Sequence, residues 1–348
     1  MSDYVWGNNK TQFFYDLRPE VILDAIDLLG LKTTGRCLPL NSMENRVYEI
    51  EVDRPDSEIG SESDKFVVAK FYRPGRWTKE QILEEHQFLL DLKEAEIPVI
   101  APMVFEGETL FELKEQNLFY TLFPRKGGRV PQEMNTEQLQ IMGRLLARIH
   151  NIGAIKNSNH RIKISPVSFG EMNLNFLLEG KFLPPHLESS YKEVITSICN
   201  SSLPLFEGIK SHRIHGDCHW GNIIWREEEG PFFIDFDDML VGPAIQDIWL
   251  VVPGTDHYGI EDRRVLIEAY DSMRSFDHRE LKLVEPLRAL RFIHFAAWTA
   301  KRWEDPSFKK AFVNFGTEGH WQGLLNDLKY QLALIQNSST PDSNPYQY

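Results

Sequence analysis

Hydrophobic residues alternate with polar ones in several short runs of the N-terminal third, whereas the rest of the chain mostly repeats them at helical spacing. The alternating runs lie within residues 39–52, 65–72, 109–113 and 117–123. Helical spacing marks residues 19–31, 78–92, 136–150, 191–200, 260–276, 278–304 and 321–335. Period-two runs are typical of half-buried strands and 3.6-residue repeats of amphipathic helices. The pattern therefore predicts an α+β fold in which a β-rich part precedes a mainly helical part.

Two carboxylates and an amide flank a predicted hairpin within residues 213–238. Its strands are Asn222–Trp225 and Pro231–Phe236, joined by a charged insert that ends in glycine. Asp217 lies just before the first strand and Asp235 at the end of the second, so the hairpin brings them together with Asn222. Phosphoryl transfer needs an aspartate that accepts the proton of the attacking hydroxyl and oxygen ligands for Mg²⁺. The hairpin is thus a candidate phosphotransfer site.

The motifs of this segment resemble those of kinases. Residues 215–222 read H-G-D-C-H-W-G-N and residues 234–238 read I-D-F-D-D, which is similar to the H-R-D-x-x-x-x-N and D-F-G pair of protein kinases. Gly216 replaces the arginine, Asp237 replaces the glycine, and no A-P-E follows. With these departures the motifs resemble those of the aminoglycoside-phosphotransferase and choline-kinase branch. Gly242 to Asp247 resembles the G-P-x-x-x-D pattern of that branch, in which the aspartate braces the catalytic loop.

Three further segments resemble the bacterial stress response kinase A family within that branch: N-S-M-E-N-R-V-Y from residue 41, F-Y-R-P-G-R-W from residue 71 and E-E-H-Q-F from residue 84. The resemblance runs from about Leu17 to Trp303. It implies a two-lobed protein-kinase-like fold, with an N-terminal nucleotide-covering lobe over residues 1–123 and a C-terminal catalytic and substrate lobe over residues 124–335. The polar residues 336–348 are expected to be a disordered tail.

The resemblance also implies roles for individual residues. Asp217 is the expected catalytic base, and Asn222 and Asp235 are the expected Mg²⁺ ligands, with Asp235 also counted as catalytic. V-V-A-K ends in Lys70, which would hold the ATP α- and β-phosphates.

Two more residues complete the expected nucleotide site. The helix that begins at Thr78 carries Ile82, Glu85 and Leu89 on one stripe, so Glu85 interrupts an apolar face and is the natural partner of Lys70. The turn before residue 46 has no glycine, and the resemblance places Ser42 there, beside the phosphates.

The implied function is an ATP- and Mg²⁺-dependent serine/threonine protein kinase of a bacterial stress response, itself a phosphoprotein, that acts on protein substrates. A small-molecule kinase for an amino alcohol, sugar or antibiotic uses the same residues and stays open. Two alternatives in which the protein is not a kinase explain fewer of these residues. A metallohydrolase would use His215, Asp217 and His219 as ligands, and a non-catalytic binding module would explain the missing glycines. The metallohydrolase leaves Asn222, Asp235, Lys70 and Glu85 unexplained. A non-catalytic module need not retain Asp217, Asn222 and Asp235 together.

Charge and cysteine content indicate which partners and which cellular compartment to expect. The formal net charge of −13 argues against a protein that coats nucleic acid. The three cysteines, Cys37, Cys199 and Cys218, show no paired spacing, which favours a reducing compartment. No run approaches 18 apolar residues and the first residues show no apolar signal region. We expect a soluble, cytoplasmic monomer with no membrane partner.

Overall fold

Alternating apolar residues in the first part of the chain form a five-stranded antiparallel sheet. The computed structural model describes residues 17–338. The sheet has the strand order β1-β2-β3-β5-β4. Its strands are β1 (Thr33–Pro39), β2 (Arg46–Val52), β3 (Phe66–Phe71), β4 (Phe111–Leu113) and β5 (Leu118–Pro124). Two helices accompany them, α1 (Pro19–Asp27) and α2 (Lys79–Glu94).

The central strand β3 places its two faces in different surroundings. Val67, Ala69 and Phe71 are fully buried and pack with Ile22 and Ile26 of α1. Because side chains alternate along a strand, Lys70 points to the opposite face, toward α2. The sequence alternation therefore sets the direction of the one charged side chain in this strand.

Helix α2 begins as its sequence predicts. The Thr78 side chain accepts from the backbone N–H of Gln81, and the Gln81 side chain accepts from the N–H of Thr78, which is a capping box. The stripe with Ile82, Glu85 and Leu89 is buried. This face turns toward the sheet and the catalytic segment, so Glu85 lies inside the protein.

The remaining chain is mainly helical, which confirms the α+β expectation. The helices are α3 (Thr136–Gly153), α4 (Met172–Glu179), α5 (Glu188–Ser202), α6 (Ile245–Val251), α7 (His257–Asp271), α8 (Val284–Lys301), α9 (Pro306–Ala311) and α10 (Glu318–Ser338). Helix α3 packs closely on α7 at Gly143, where a Cβ atom would lie 2.2 Å from the carbonyl oxygen of Leu266. A second apolar cluster joins α5, α8 and α10.

Two small antiparallel ladders lie between these helices and hold the catalytic segment. They pair β6 (His212–Ile214) with β9 (Leu240–Gly242), and β7 (Ile223–Arg226) with β8 (Gly230–Phe233). The predicted hairpin is therefore present, and Ile223 lies opposite Phe233. Its second strand ends earlier than predicted, and Asp235 follows it in a left-handed conformation with φ of 57°.

Several boundaries differ from the sequence prediction. Helix α1 ends at Asp27 rather than near residue 31, because residues 28–30 turn and Gly30 has a φ of 84°. Residues 151–190, whose periodicity is weak, contain α4 and a turn of π-helix, Pro166–Glu171. Helix α10 extends to Ser338, into the expected tail. Residues 1–16 and 339–348, including the rest of that tail and the N-terminal segment, lie outside the described residues. No helix between residues 17 and 338 has the length and apolar character needed to cross a bilayer.

Candidate active site

A buried aspartate holds the loop that carries Asp217. The carboxylate of Asp247 accepts the backbone N–H of His215 at 2.9 Å and that of Gly216 at 2.8 Å. His150 contacts the same carboxylate at 3.0 Å from the side of α3. Gly216 has a φ of 86°, and a Cβ atom there would lie 2.3 Å from the carbonyl oxygen of Asp238. Only glycine fits this close approach, which explains why the arginine of the protein-kinase motif has no counterpart here.

His215 is a structural part of this loop. One ring nitrogen, Nδ1, accepts the N–H of Asp217 at 3.3 Å, and the other, Nε2, donates to the carbonyl of Ile234 at 2.9 Å. The ring also lies against Phe236, with 4.3 Å between the ring centroids. Because both nitrogens are engaged, His215 is not placed to ligate a metal, which argues against the metallohydrolase alternative.

The carboxylate of Asp217 faces a cavity and contacts two side chains, an arginine and a histidine. Its Oδ1 lies 2.7 Å from the Arg291 guanidinium, and its Oδ2 lies 3.4 Å from Nε2 of His219. Burial alone raises the pKa of Asp217, but the hydrogen bond from His219 and the charge of Arg291 outweigh it and lower the pKa below its ordinary value. Asp217 is thus ionised at neutral pH, as a general base must be.

Asn222 and Asp235 supply oxygen atoms on the other side of this loop. The amide nitrogen of Asn222 donates to the carbonyl of Asp217 at 2.9 Å, which directs its Oδ1 away from the loop. The backbone carbonyl of Asn222 accepts the N–H of Ile234 at 3.0 Å, so Asp235 follows directly across the hairpin. The Asp235 side chain is 54% exposed.

This pair fits a magnesium ion. Mg²⁺ is commonly bound by one or two protein oxygen ligands together with substrate phosphates and water. Among residues 17–338, no three side chains of His, Cys, Asp or Glu are grouped so that they could hold a metal ion by themselves. A carboxylate and an amide oxygen at the end of a hairpin are therefore suited to an ion that arrives with a nucleotide.

Lys70 lies at the centre of three carboxylates, of which Glu85 and Asp237 are buried and Asp235 is exposed. Its Nζ is 2.9 Å from Asp237, 3.3 Å from Asp235 and 3.7 Å from Glu85. Burial lowers the pKa of Lys70, but the three carboxylates outweigh burial and raise the pKa well above its ordinary value. The predicted approach of Glu85 to Lys70 is present, and Asp237 is a closer partner that the sequence did not assign.

Two arginines complete this cluster. Arg76 binds Asp237 and Asp238. Arg161 lies 3.3 Å from Glu85 and donates to the carbonyl of Asp237 at 2.9 Å. Arg76 belongs to the F-Y-R-P-G-R-W segment. The resemblance identifies this segment but assigns no role to Arg76. Arg161 lies in the weakly periodic region, where the sequence contains no signal for it.

Ser42 lies in the loop between β1 and β2, which is tied to the same cluster. The Ser42 hydroxyl accepts the backbone N–H of Asn45 at 3.3 Å. The Asn45 side chain donates to Asp237 at 3.2 Å. The loop therefore sits over the D-F-D segment, while the contact of Ser42 with a phosphate stays a prediction.

A cavity of about 260 Å³ opens beside Asp217. Asp217, His219 and Arg291 lie on its wall, and Glu44, Arg76 and Asp238 add further charged groups. Aromatic side chains form much of the rest: Trp77, Phe169, Phe295 and Trp298. Arg291 was not predicted, because α8 shows only which residues face inward and not what a polar residue on it contacts. The cavity is a candidate acceptor site, since it exposes the carboxylate that would take the proton.

A kinase-type phosphotransferase is the class that this fold and this arrangement define. The family model described as the phosphotransferase enzyme family matches residues 37–284. Stress response kinase A of Escherichia coli O157:H7 is 38% identical over 330 residues, which is 94% of this chain and 97% of that protein. Serine/threonine protein kinase RdoA of Salmonella typhimurium is 36% identical over 329 residues, 94% of this chain and 96% of that protein. The chain therefore belongs to the phosphotransferase enzyme family and, within it, to the stress response kinase A family.

Solved structures confirm the two-lobed kinase-like fold. Amicoumacin kinase hAmiN, solved with AMP-PNP and Ca²⁺, superimposes with a TM-score of 0.68. The match covers 92% of this chain and 96% of that one at 16% sequence identity.

Proposed function

We propose that the protein is an ATP- and Mg²⁺-dependent serine/threonine protein kinase of a bacterial stress response. The observation that carries the proposal is the Asp217 carboxylate at the wall of the 260 Å³ cavity, one hairpin away from Asp235, which in turn lies 3.3 Å from Lys70. The relative at 36% identity that is named a serine/threonine protein kinase supports a protein acceptor. In this proposal the enzyme works in the cytoplasm as a monomer.

Asp217 orients the serine or threonine hydroxyl of the acceptor and takes its proton as the γ-phosphoryl group transfers. Lys70, which is held between Asp237 and Glu85, would bind the α- and β-phosphates in this proposal. The loop with Ser42 would cover them. Asn222 and Asp235 would hold Mg²⁺, which neutralises charge on the transferring phosphoryl group. Positioning and charge neutralisation supply most of the catalysis in such transfers.

A small-molecule kinase is the second candidate. The aromatic lining and the limited volume of the Asp217 cavity favour it, because small-ligand sites are concave and mostly apolar. The catalytic residues would be the same and only the acceptor would differ.

Purified protein incubated with Mg²⁺ and γ-labelled ATP separates the two candidates. The acceptors are myelin basic protein and a panel of hydroxylated metabolites, and Asp217→Ala is the control. We expect labelled phosphoserine or phosphothreonine with wild type and none with the variant. Label only in a metabolite would move the assignment to a small-molecule kinase, and failure to bind ATP would overturn both.

A further inference from the structure

A second cavity, of about 410 Å³, lies next to the candidate acceptor cavity. Ile162, Phe169 and His294 line both cavities, so the two share a wall. The second cavity lies between the weakly periodic segment, α4 and α8. The two cavities are therefore adjacent, so a substituent of an acceptor in the first cavity lies close to the second.

The second cavity is lined by positive charge. Lys163 and Lys301 contribute to its wall together with Arg161, whose charge is shared with Glu85 at 3.3 Å. None of the described residues that line the cavity is an aspartate or a glutamate. The protein as a whole carries a formal charge of −13. A local excess of cations in an acidic protein concentrates anions at that place.

The ammonium of Lys301 is held in position within this cavity. Its Nζ donates to Oδ1 of Asn173 at 3.2 Å and lies 4.9 Å from the ring centre of Phe176. Asn173 is itself fixed, because its amide donates to the carbonyl of Phe169 at 2.9 Å. Burial, followed by the charge of Arg302, lowers the pKa of Lys301 to about 7. An anion beside this amine would therefore favour its charged form.

An exposed cation, Lys163, lies at the rim of the same cavity. The Ser168 hydroxyl donates to the backbone carbonyl of Lys163 at 2.7 Å, which holds the segment that carries this lysine. Phe169 stacks on His294 with 4.3 Å between ring centroids, so the partition between the two cavities is packed and narrow. Phe169 belongs to the turn of π-helix, a conformation that often occurs at functional sites.

We propose that this second cavity is a subsite for an anionic group, a carboxylate or a phosphoryl group, that the acceptor carries near the hydroxyl to be phosphorylated. The proposal rests on the proposed function and deepens it, since it defines the acceptors as serine or threonine peptides with a neighbouring acidic or phosphorylated residue. Lys301 is the central ligand, and Lys163 adds charge at the rim.

The test uses serine peptides that differ in one residue near the acceptor. That residue is glutamate, phosphoserine or glutamine, moved through the positions on either side of the serine, and kcat/KM is measured for each. Because hydrogen bonds to charged groups are stronger than those between neutral groups, we expect wild type to prefer one charged series over glutamine by about tenfold or more. Glutamate and phosphoserine as separate series distinguish the two kinds of anion.

Two variants and one control locate the preference. Lys301→Met removes the buried charge and keeps the aliphatic stem, and Lys163→Met does the same at the exposed rim. Lys192→Met on α5 is an exposed lysine outside both cavities. We expect the preference to disappear in Lys301→Met, to weaken in Lys163→Met and to persist in Lys192→Met, with phosphorylation of the glutamine peptide retained throughout.

The outcomes distinguish a failure of the proposed subsite from a failure of the protein-kinase assignment. Peptides phosphorylated at equal rates, whatever their charge, would overturn the subsite and leave the protein kinase intact. If no peptide is phosphorylated, the protein-kinase assignment fails, and calorimetric binding of O-phosphoserine then decides the subsite. Binding that wild type and Lys192→Met show and Lys301→Met lacks supports it, and the absence of such a difference overturns it.

Discussion

The ammonium of Lys70 lies 2.9 Å from a carboxylate oxygen of Asp237, closer than to any other carboxylate of its cluster. Asp237 stands where protein kinases have the glycine of D-F-G. It also binds Arg76 and accepts from Asn45. The second aspartate of D-F-D thus joins the strand that carries Lys70 to the loop over the D-F-D segment and to the catalytic hairpin.

Asp237→Asn is expected to destabilise the fold strongly. The substitution keeps the shape of the side chain but leaves the buried charges of Lys70 and Arg76 without their shared partner. Breaking a buried ion pair costs about 3–5 kcal/mol of unfolding free energy. Urea denaturation measures the change. The exposed pair of Asp53 with Lys32 is the control, and Asp53→Asn should change stability by less than about 1 kcal/mol. Equal effects of the two substitutions would contradict the role of Asp237.

Arg291→Gln is expected to move the acidic limb of the pH–rate profile upward. Arg291 lies 2.7 Å from Asp217 and lowers its pKa, so removing the guanidinium raises the pKa of the base. Because the base acts when ionised, kcat/KM should then fall at a higher pH than in wild type. Arg264→Gln, which breaks a surface pair on α7, should leave the profile unchanged. An unshifted profile in Arg291→Gln would show that the ion pair does not tune Asp217.

As the pH rises, Glu85→Gln and Glu84→Gln should change the free energy of unfolding, relative to wild type, in opposite directions. Burial, with Asp237 and Asp235, outweighs Lys70 and Arg161 and raises the pKa of Glu85 to about 7. The folded protein then keeps a proton that the unfolded chain releases above its ordinary pKa of about 4.3, so this stabilisation is full below that pH and lost as the pH rises through 7. Glutamine does not titrate, so Glu85→Gln does not lose stability in this way. The free energy of unfolding of the variant should therefore rise relative to that of wild type between about pH 4 and 7.

Glu84 is the matched comparison. Burial raises its pKa, but the Ser158 hydroxyl and the backbone N–H groups of 159–161 together lower it below the ordinary value. Its stabilisation is present above the unfolded pKa and is lost as the pH falls, so the cost of Glu84→Gln should shrink in acid. Denaturation at a series of pH values checks both, and parallel curves for the two variants would contradict the assignment.

The sequence predicts those parts of the site whose residues lie close together along the chain or within one element. Asp217, Asn222 and Asp235 share one hairpin, so their spacing alone brings them together. The resemblance of V-V-A-K to a kinase motif identifies Lys70, and the helical periodicity of residues 78–92 turns Glu85 inward toward it. Their true surroundings, with Asp237 nearest to Lys70, depend on packing between distant segments.

Other contributions arise only from the tertiary fold. Arg161 reaches Glu85 from a segment with no clear periodicity, and Arg291 reaches Asp217 from α8, more than seventy residues further along the chain. The second cavity requires three segments to pack before its cations face one space. No spacing in the sequence indicates that Lys301 and Lys163 belong together.

Asp235→Ala is expected to weaken the binding of Mg·ATP itself. Its exposed carboxylate is the charged member of the pair that would hold Mg²⁺. Titration calorimetry with and without Mg²⁺ measures the effect, and we expect the Mg²⁺-dependent part of ATP affinity to be lost. Asp238→Ala is the neighbouring control, because Asp238 binds Arg76 at the wall of the acceptor cavity. Unchanged Mg·ATP affinity in Asp235→Ala would contradict its assignment.

The most direct test of the account is the rate of phosphoryl transfer to a serine peptide by Asp217→Ala saturated with Mg·ATP. The account predicts that the variant binds Mg·ATP much as wild type does and transfers the phosphoryl group roughly 10²–10⁴ times more slowly, as expected for the loss of a general base. Transfer at the wild-type rate would show that Asp217 is not the base and would contradict the proposed mechanism.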